Sequence, residues 1–115
     1  MTWRDTFDAL RKLPLDWDGE GSPPPSEATC QAAETFLQQA IGDLPKTQPF
    51  ICPVSGGAIG VEWDCAGRHL ELEFLSDVDV LWLYDDLQGT MDSGATTLPA
   101  GAELLREKIK ALAAI

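Results

Sequence analysis

From Ile59 to Phe74, apolar residues occupy alternate positions on both sides of Ala66-Gly67: Ile59, Val61, Trp63 and Cys65 lead in, and Leu70, Leu72 and Phe74 lead out. A period of two marks a strand with one buried face, and a Gly-containing pair between two such runs predicts a tight hairpin. Closing the hairpin on Ala66-Gly67 sets Trp63 opposite Leu70, Val61 opposite Leu72 and Ile59 opposite Phe74. All six then share one face. A slip of one residue would turn one strand's apolar set to the other face, so this register is strongly specified.

The same register dictates the opposite face. Glu62, Asp64, His69, Glu71 and Glu73 fall there, with Glu62 directly across from Glu71. Like charges so placed destabilise a sheet by up to about 1 kcal/mol, less where water screens them. A third strand, Val78 to Tyr84, follows. Val78, Val80, Trp82 and Tyr84 lie on one side of it, and Leu81 and Leu83 on the other. Such a strand is either covered on both sides by helices or presents an apolar patch. A compact Ser76-Asp77 turn places Trp82 and Tyr84 on the acidic face and Leu81 and Leu83 in the core; one more turn residue reverses this. The compact turn is the expectation, making Trp82 and Tyr84 interface anchors among Glu62, Glu71 and Glu73.

Helical periodicity fills the flanks. Thr2 is placed to cap a first helix, with Asp5 at its positive end and Trp3, Phe7 and Leu10 as its stripe, before Pro14 stops it. Ser26 caps a second helix expected to run to Gly42, with Cys30, Ala33, Leu37, Ala40 and Ile41 inward and Phe36 alongside. Pro45 and Pro49 mark a connector. Pro99 opens a last helix with Leu105, Ile109 and Leu112 inward and a Glu107–Lys110 pair outside. Residues 85–98 read as loop or a short edge strand. The predicted architecture is one α+β domain over residues 1–115. It has two N-terminal helices, a three- or four-stranded antiparallel meander and a C-terminal helix, with the helices on one sheet face.

A length of 115 residues suits one domain, and 44% hydrophobic content with four Trp excludes a disordered acidic chain. No apolar run approaches the roughly 20 residues of a membrane span. Residues 1–5 lack the basic-then-apolar pattern of a secretory signal. Three cysteines without a Cys-x-x-Cys motif suit a reducing compartment, so a cytoplasmic location is expected. The formal charge is −11, and residues 62–92 hold nine of the acids against Arg68 alone. That field repels nucleic-acid phosphates and anionic membranes and favours a basic protein partner, although solubility would also account for it. The sequence leaves room for a homodimer.

Chemistry-bearing motifs are sparse. Cys52, Cys65 and His69 lack a fourth ligand at zinc-site spacing, and the cysteines read better as small buried hydrophobes. No nucleophile–base arrangement, phosphate-cradling glycine loop or His-Glu-x-x-His occurs, so no enzyme, catalytic residue or cofactor is expected. Asp16-x-Asp18-x-Glu20-Gly21-x₅-Glu27 satisfies calcium-loop spacing, making Asp16, Asp18, Glu20 and Glu27 the ligands of an alternative, metal-binding reading. Pro23, Pro24 and Pro25 inside that loop offer no N–H and oppose it. The competing reading is a rigid turn with Gly19 and Gly21 at positive φ and Trp17 anchored in the core.

Leu15-Asp16-Trp17-Asp18-Gly19-Glu20-Gly21-Ser22-Pro23 and Ser55-Gly56-Gly57-Ala58-Ile59-Gly60-Val61-Glu62-Trp63, leading into Leu70-Glu71-Leu72-Glu73, follow one another in order. In this the chain resembles a group of short uncharacterised bacterial proteins. They share Trp-Asp-x-x-Gly-x-Pro, a Gly-Gly turn running into Glu-Trp, and a Leu-Glu-type strand. The resemblance implies a bacterial cytosolic protein and carries no activity. The functional expectation is an acidic protein-binding module, like an antitoxin, immunity protein or inhibitor, that meets a basic partner through an acidic, aromatic sheet face.

Overall fold

The computed structural model describes residues 3–40, 42, 44, 48–86 and 88–113. The elements run α1 (Trp3–Arg11), α2 (Glu27–Gln39), β1 (Phe50–Val54), β2 (Ala58–Cys65), β3 (Arg68–Phe74), β4 (Asp79–Asp86), β5 (Met91–Thr97) and α3 (Ala102–Ala113). The strands form one antiparallel sheet in the order β1-β2-β3-β4-β5. The fold is therefore α+β with a meander of five strands, where three or four were expected.

The hairpin is built as its sequence requires. Ile59 pairs with Phe74, Val61 with Leu72 and Trp63 with Leu70 across a two-residue loop. Ala66 and Gly67 take φ of 51° and 83°, the left-handed pair that matches strand twist. On their shared face, Trp63, Leu70, Leu72 and Phe74 are buried against Phe7 of α1, Cys30, Ala33 and Leu37 of α2, and Leu105, Ile109 and Leu112 of α3. Trp3, Phe7 and Leu10 form the buried stripe of α1. Ser26 caps α2 by accepting the Thr29 amide at 3.1 Å. That helix ends at Gln39, with Ala40 as its C-cap, short of Gly42. Thr2, Ile41 and Pro45 lie outside the described residues. On α3, Lys110 Nζ reaches Glu107 Oε1 at 3.9 Å.

The two additional strands lie at the sheet edges. β1 carries Pro53, tolerated where a strand has only one neighbour. β5 reads Met-Asp-Ser-Gly-Ala-Thr-Thr, with no apolar alternation to announce it. Its Gly94 stands opposite Trp82, and a Cβ there would lie 2.9 Å from Trp82 Cζ2. The glycine that weakens the strand signal is what admits the indole.

The orientation of β4 corrects the sequence expectation. Leu75 N–H donates to Asp79 O at 2.9 Å, leaving Ser76, Asp77 and Val78 as a three-residue turn. Trp82 therefore pairs with Leu72 and Tyr84 with Leu70, and both face the core. Trp82 is only 9% exposed, and Tyr84 packs half-buried against the same cluster. Leu81 and Leu83 stand opposite Glu73 and Glu71, on the acidic face. The physical reason is Ser76, whose Oγ accepts the amides of both Val78 and Asp79 and stabilises the longer turn.

The 14–25 loop also departs in part from expectation. Gly19 and Gly21 do adopt positive φ, at 76° and 82°. Trp17, however, lies outside the hydrophobic core. It is half-buried and braces the loop, its indole N–H donating to Pro23 O at 3.0 Å.

Candidate functional site: the open face of the sheet

Helices α1, α2 and α3 pack on one side of the sheet, against β1, β2 and β3 respectively. The other side is left without a helical cover among the described residues, and the strand register sets its side chains in rows. Phe50, Glu62, Glu71, Leu83 and Ser93 form one row across all five strands. Cys52, Gly60, Glu73, Leu81 and Ala95 form the next. Asp64, His69, Asp85 and Met91 form a third. The first two rows place carboxylates on the inner strands and apolar or small side chains towards the sheet edges, while the third starts at Asp64, beyond the end of β1, and finishes at Met91.

Several of those apolar side chains are open to solvent. Phe50 is 60% exposed, Met91 66% and Leu81 39%. A shallow trough of about 510 Å³ runs over β3, β4 and β5, lined by Glu71, Glu73, Leu81, Leu83, Ser93 and Ala95 among others. Exposed Leu, Phe and Met beside carboxylates form a mixed surface able to desolvate against a partner while attracting positive charge.

One histidine sits among the acids. His69 Nδ1 lies 2.8 Å from Asp64 Oδ1, and Nε2 lies 2.8 Å from Glu71 Oε1. Ionised carboxylates only accept, so the ring donates from both nitrogens. Desolvation opposes the charged ring, but the hydrogen bonds and charges of Glu71 and Asp64 outweigh it and raise its pKa. Glu62, across from Glu71, completes a cluster in which one ligand-type atom from each of Glu62, His69 and Glu71 lies within 4.8 Å of the others.

Of the residues expected to form the site, Glu62, Glu71 and Glu73 are together on this face, and Trp82 and Tyr84 are on the other. Leu81, Leu83, Phe50 and Met91 stand on the acidic face instead. The signal for Leu81 and Leu83 lay in the Ser76 turn, whereas Phe50 and Met91 sit on edge strands whose sequences carry none. Cys52 also lies on this face. Burial, then the charges of Glu62 and Glu71, push its thiol up, which keeps it protonated and a poor nucleophile.

The 16–27 loop does not gather its acids around a point. Asp18 accepts from the Glu20 amide, from the Ser22 amide and hydroxyl, and from Ser55 Oγ. The Ser22 hydroxyl and the Glu20 amide hold its carboxyl at about 2, below the usual range. Asp16 Oδ1 accepts the Gly21 amide. Glu27 pairs with Arg11 at 2.9 Å, and Glu34 joins them. Asp16 and Asp18 are thus engaged in shaping the loop, and Glu27 in pairing α2 with Arg11 of α1. Asp16, Asp18, Glu20 and Glu27 do not converge as ligands, and the Glu62–His69–Glu71 group is the one such cluster among the described residues. The loop rests on the β1–β2 turn: Ser55 bonds Asp18 at 3.2 Å, and a Cβ on Gly57 would lie 3.6 Å from Pro23 Cγ. The Trp-Asp and Gly-Gly motifs, distant in sequence, are one structural unit.

Comparisons with protein-family models, with curated proteins and with solved structures give no match to this chain. No described helix is long and apolar enough to cross a membrane.

Proposed function

We propose that this chain is a non-enzymatic binding module that engages a basic protein partner through the open face of its sheet, in the manner of small acidic antitoxins, immunity proteins and inhibitors. The observation that carries this reading is the pairing of Glu71 with Leu83 and Glu73 with Leu81 on a face that no described helix covers. Apolar side chains there supply area to bury, and the carboxylates select the sign of the partner. The overall charge of −11 adds long-range attraction for a cation and repulsion for nucleic acid or anionic lipid. A second copy docking by this face would bring carboxylates against carboxylates, which favours a different, basic partner over a homodimer. Free Cys30, Cys52 and Cys65 suit work in a reducing cytoplasm.

The test is capture from the native host with the wild-type chain and with Glu71→Lys/Glu73→Lys, followed by association kinetics on the captured protein. The expected partner is basic, its association slows with salt, and the double reversal slows it at least about tenfold with the fold intact. Equal capture by both chains, with no salt dependence, would remove the acidic face from the function.

A further inference from the structure

We propose that Glu62, His69 and Glu71 form a binding site for a divalent first-row transition metal, of which Zn²⁺ is the reference ion. This goes beyond partner binding and does not depend on it. The three residues project from paired strands, Glu62 from β2 and His69 and Glu71 from β3, so the backbone holds them in fixed register. Their candidate ligand atoms already lie within 4.8 Å of one another. Ligands of one zinc ion sit about 2.0–2.2 Å from it, hence roughly 3.3 Å apart. Rotation about the outer glutamate torsions, whose wells are broad, closes that gap.

The set differs from a plain acidic patch in having an imidazole at its centre with its orientation fixed. Asp64 accepts from Nδ1 at 2.8 Å, which leaves Nε2 as the nitrogen directed at Glu71. This is the outer-shell carboxylate–histidine arrangement that orients metal-binding imidazoles and raises their basicity. Now the Nε2 proton bridges His69 and Glu71; on metal binding the ion takes that place and the proton leaves to solvent. The ion would also relieve the repulsion between Glu62 and Glu71 across the strands. One nitrogen and two carboxylate oxygens suit Zn²⁺ and its neighbours, whereas Ca²⁺ needs six to eight oxygens, more than this flat surface gathers. Positions left over would be filled by water or by a side chain of a partner.

The experiment is calorimetric titration of Zn²⁺ into chelator-treated protein. One equivalent should bind, with Ca²⁺ at the same concentration giving no comparable heat. Affinity should fall at least about tenfold in His69→Ala and in Glu71→Gln, and by about tenfold in Asp64→Asn, in the range for outer-shell partners. Cys52→Ser, which removes the thiol on the same face, should leave affinity unchanged. Circular dichroism checks that each variant is folded. Ni²⁺ gives a second readout, by broadening the His69 ring protons in NMR spectra of the wild-type chain. The proposal is overturned if Zn²⁺ does not bind, if His69→Ala binds it as well as wild type, if Cys52→Ser abolishes binding, or if Ca²⁺ binds equally.

Discussion

The hydroxyl of Ser76 accepts the amide of Asp79 at 3.0 Å, and this contact stands at the point where the sheet commits which face of β4 meets water. With the turn held at three residues, Leu81 and Leu83 join Glu73 and Glu71 on the open side. A two-residue turn would send both leucines inward and bring Trp82 out.

Ser76→Ala removes the acceptor for two amides at a largely solvated turn. The expected cost is about 1 kcal/mol, typical of side-chain-to-backbone hydrogen bonds, because water can replace part of what is lost. Chemical denaturation measures it, through a lower midpoint at unchanged slope. A cost near zero would mean that the hydroxyl does not hold the turn.

The division of labour along β4 is tested by swapping which side is truncated. Trp82→Ala removes a buried ring from the core and should cost about 3–5 kcal/mol. Leu81→Ala with Leu83→Ala trims the open face and should cost well under that, while weakening capture of the basic partner. Thermal melts and partner binding, read together, separate the two. Loss of binding in a well-folded Trp82 variant, with the leucine variant binding normally, would return Trp82 to the working surface.

The β2–β3 hairpin was legible to the individual pair because alternation and the Ala66-Gly67 turn constrain the same register independently. The stripes of the helices were legible for a similar reason: Phe7, Leu37 and Ile109 each sit in a run with helical spacing. The edge strands were not, since β5 lacks apolar alternation and β1 carries a proline. The facing of β4 was hidden because both its sides are apolar, so its pattern says nothing about which is inward. Trp17 misled through its size: a Trp between two helices suggests a core anchor, yet its indole N–H is needed on Pro23 O. The carboxylates were placed correctly by the hairpin register, but the leucines that accompany them depended on a turn length that a hydroxyl decides.

The acid response of the 16–22 loop follows from Asp18. Its folded pKa, about 2, lies below its unfolded value, so the loop's contribution to stability is present above the usual carboxylate range. It is lost as pH falls through the folded value. NMR titration should place the Asp18 carboxyl midpoint near 2, and Ser22→Ala should raise it, because the Ser22 hydroxyl is the largest cause of the shift. An Asp18 midpoint near 4 in the wild type would mean that the Ser22 and Ser55 contacts do not persist in solution.

Gly94 ties the outermost strand to the core. Its Cα lies beneath the Trp82 indole, and an added Cβ would approach Cζ2 at 2.9 Å and Nε1 at 3.1 Å. The indole has little room to yield, being 9% exposed within the core, and the Lys108 ammonium, itself held by Asp92 at 3.1 Å, lies 4.4 Å from its ring centroid. Gly94→Ala should therefore cost about 1–3 kcal/mol, as overpacking against a rigid ring does. An ordinary glycine in a strand would show the opposite sign, since alanine loses less chain entropy on folding. Pairing the substitution with Trp82→Leu, which vacates the space, should reverse the penalty of the alanine within the double variant. The decisive measurement is the double-mutant cycle from denaturation curves. A coupling near zero would show that β5 does not rest on Trp82, while a coupling of 1 kcal/mol or more would show that this one contact fixes the strand bordering the open face.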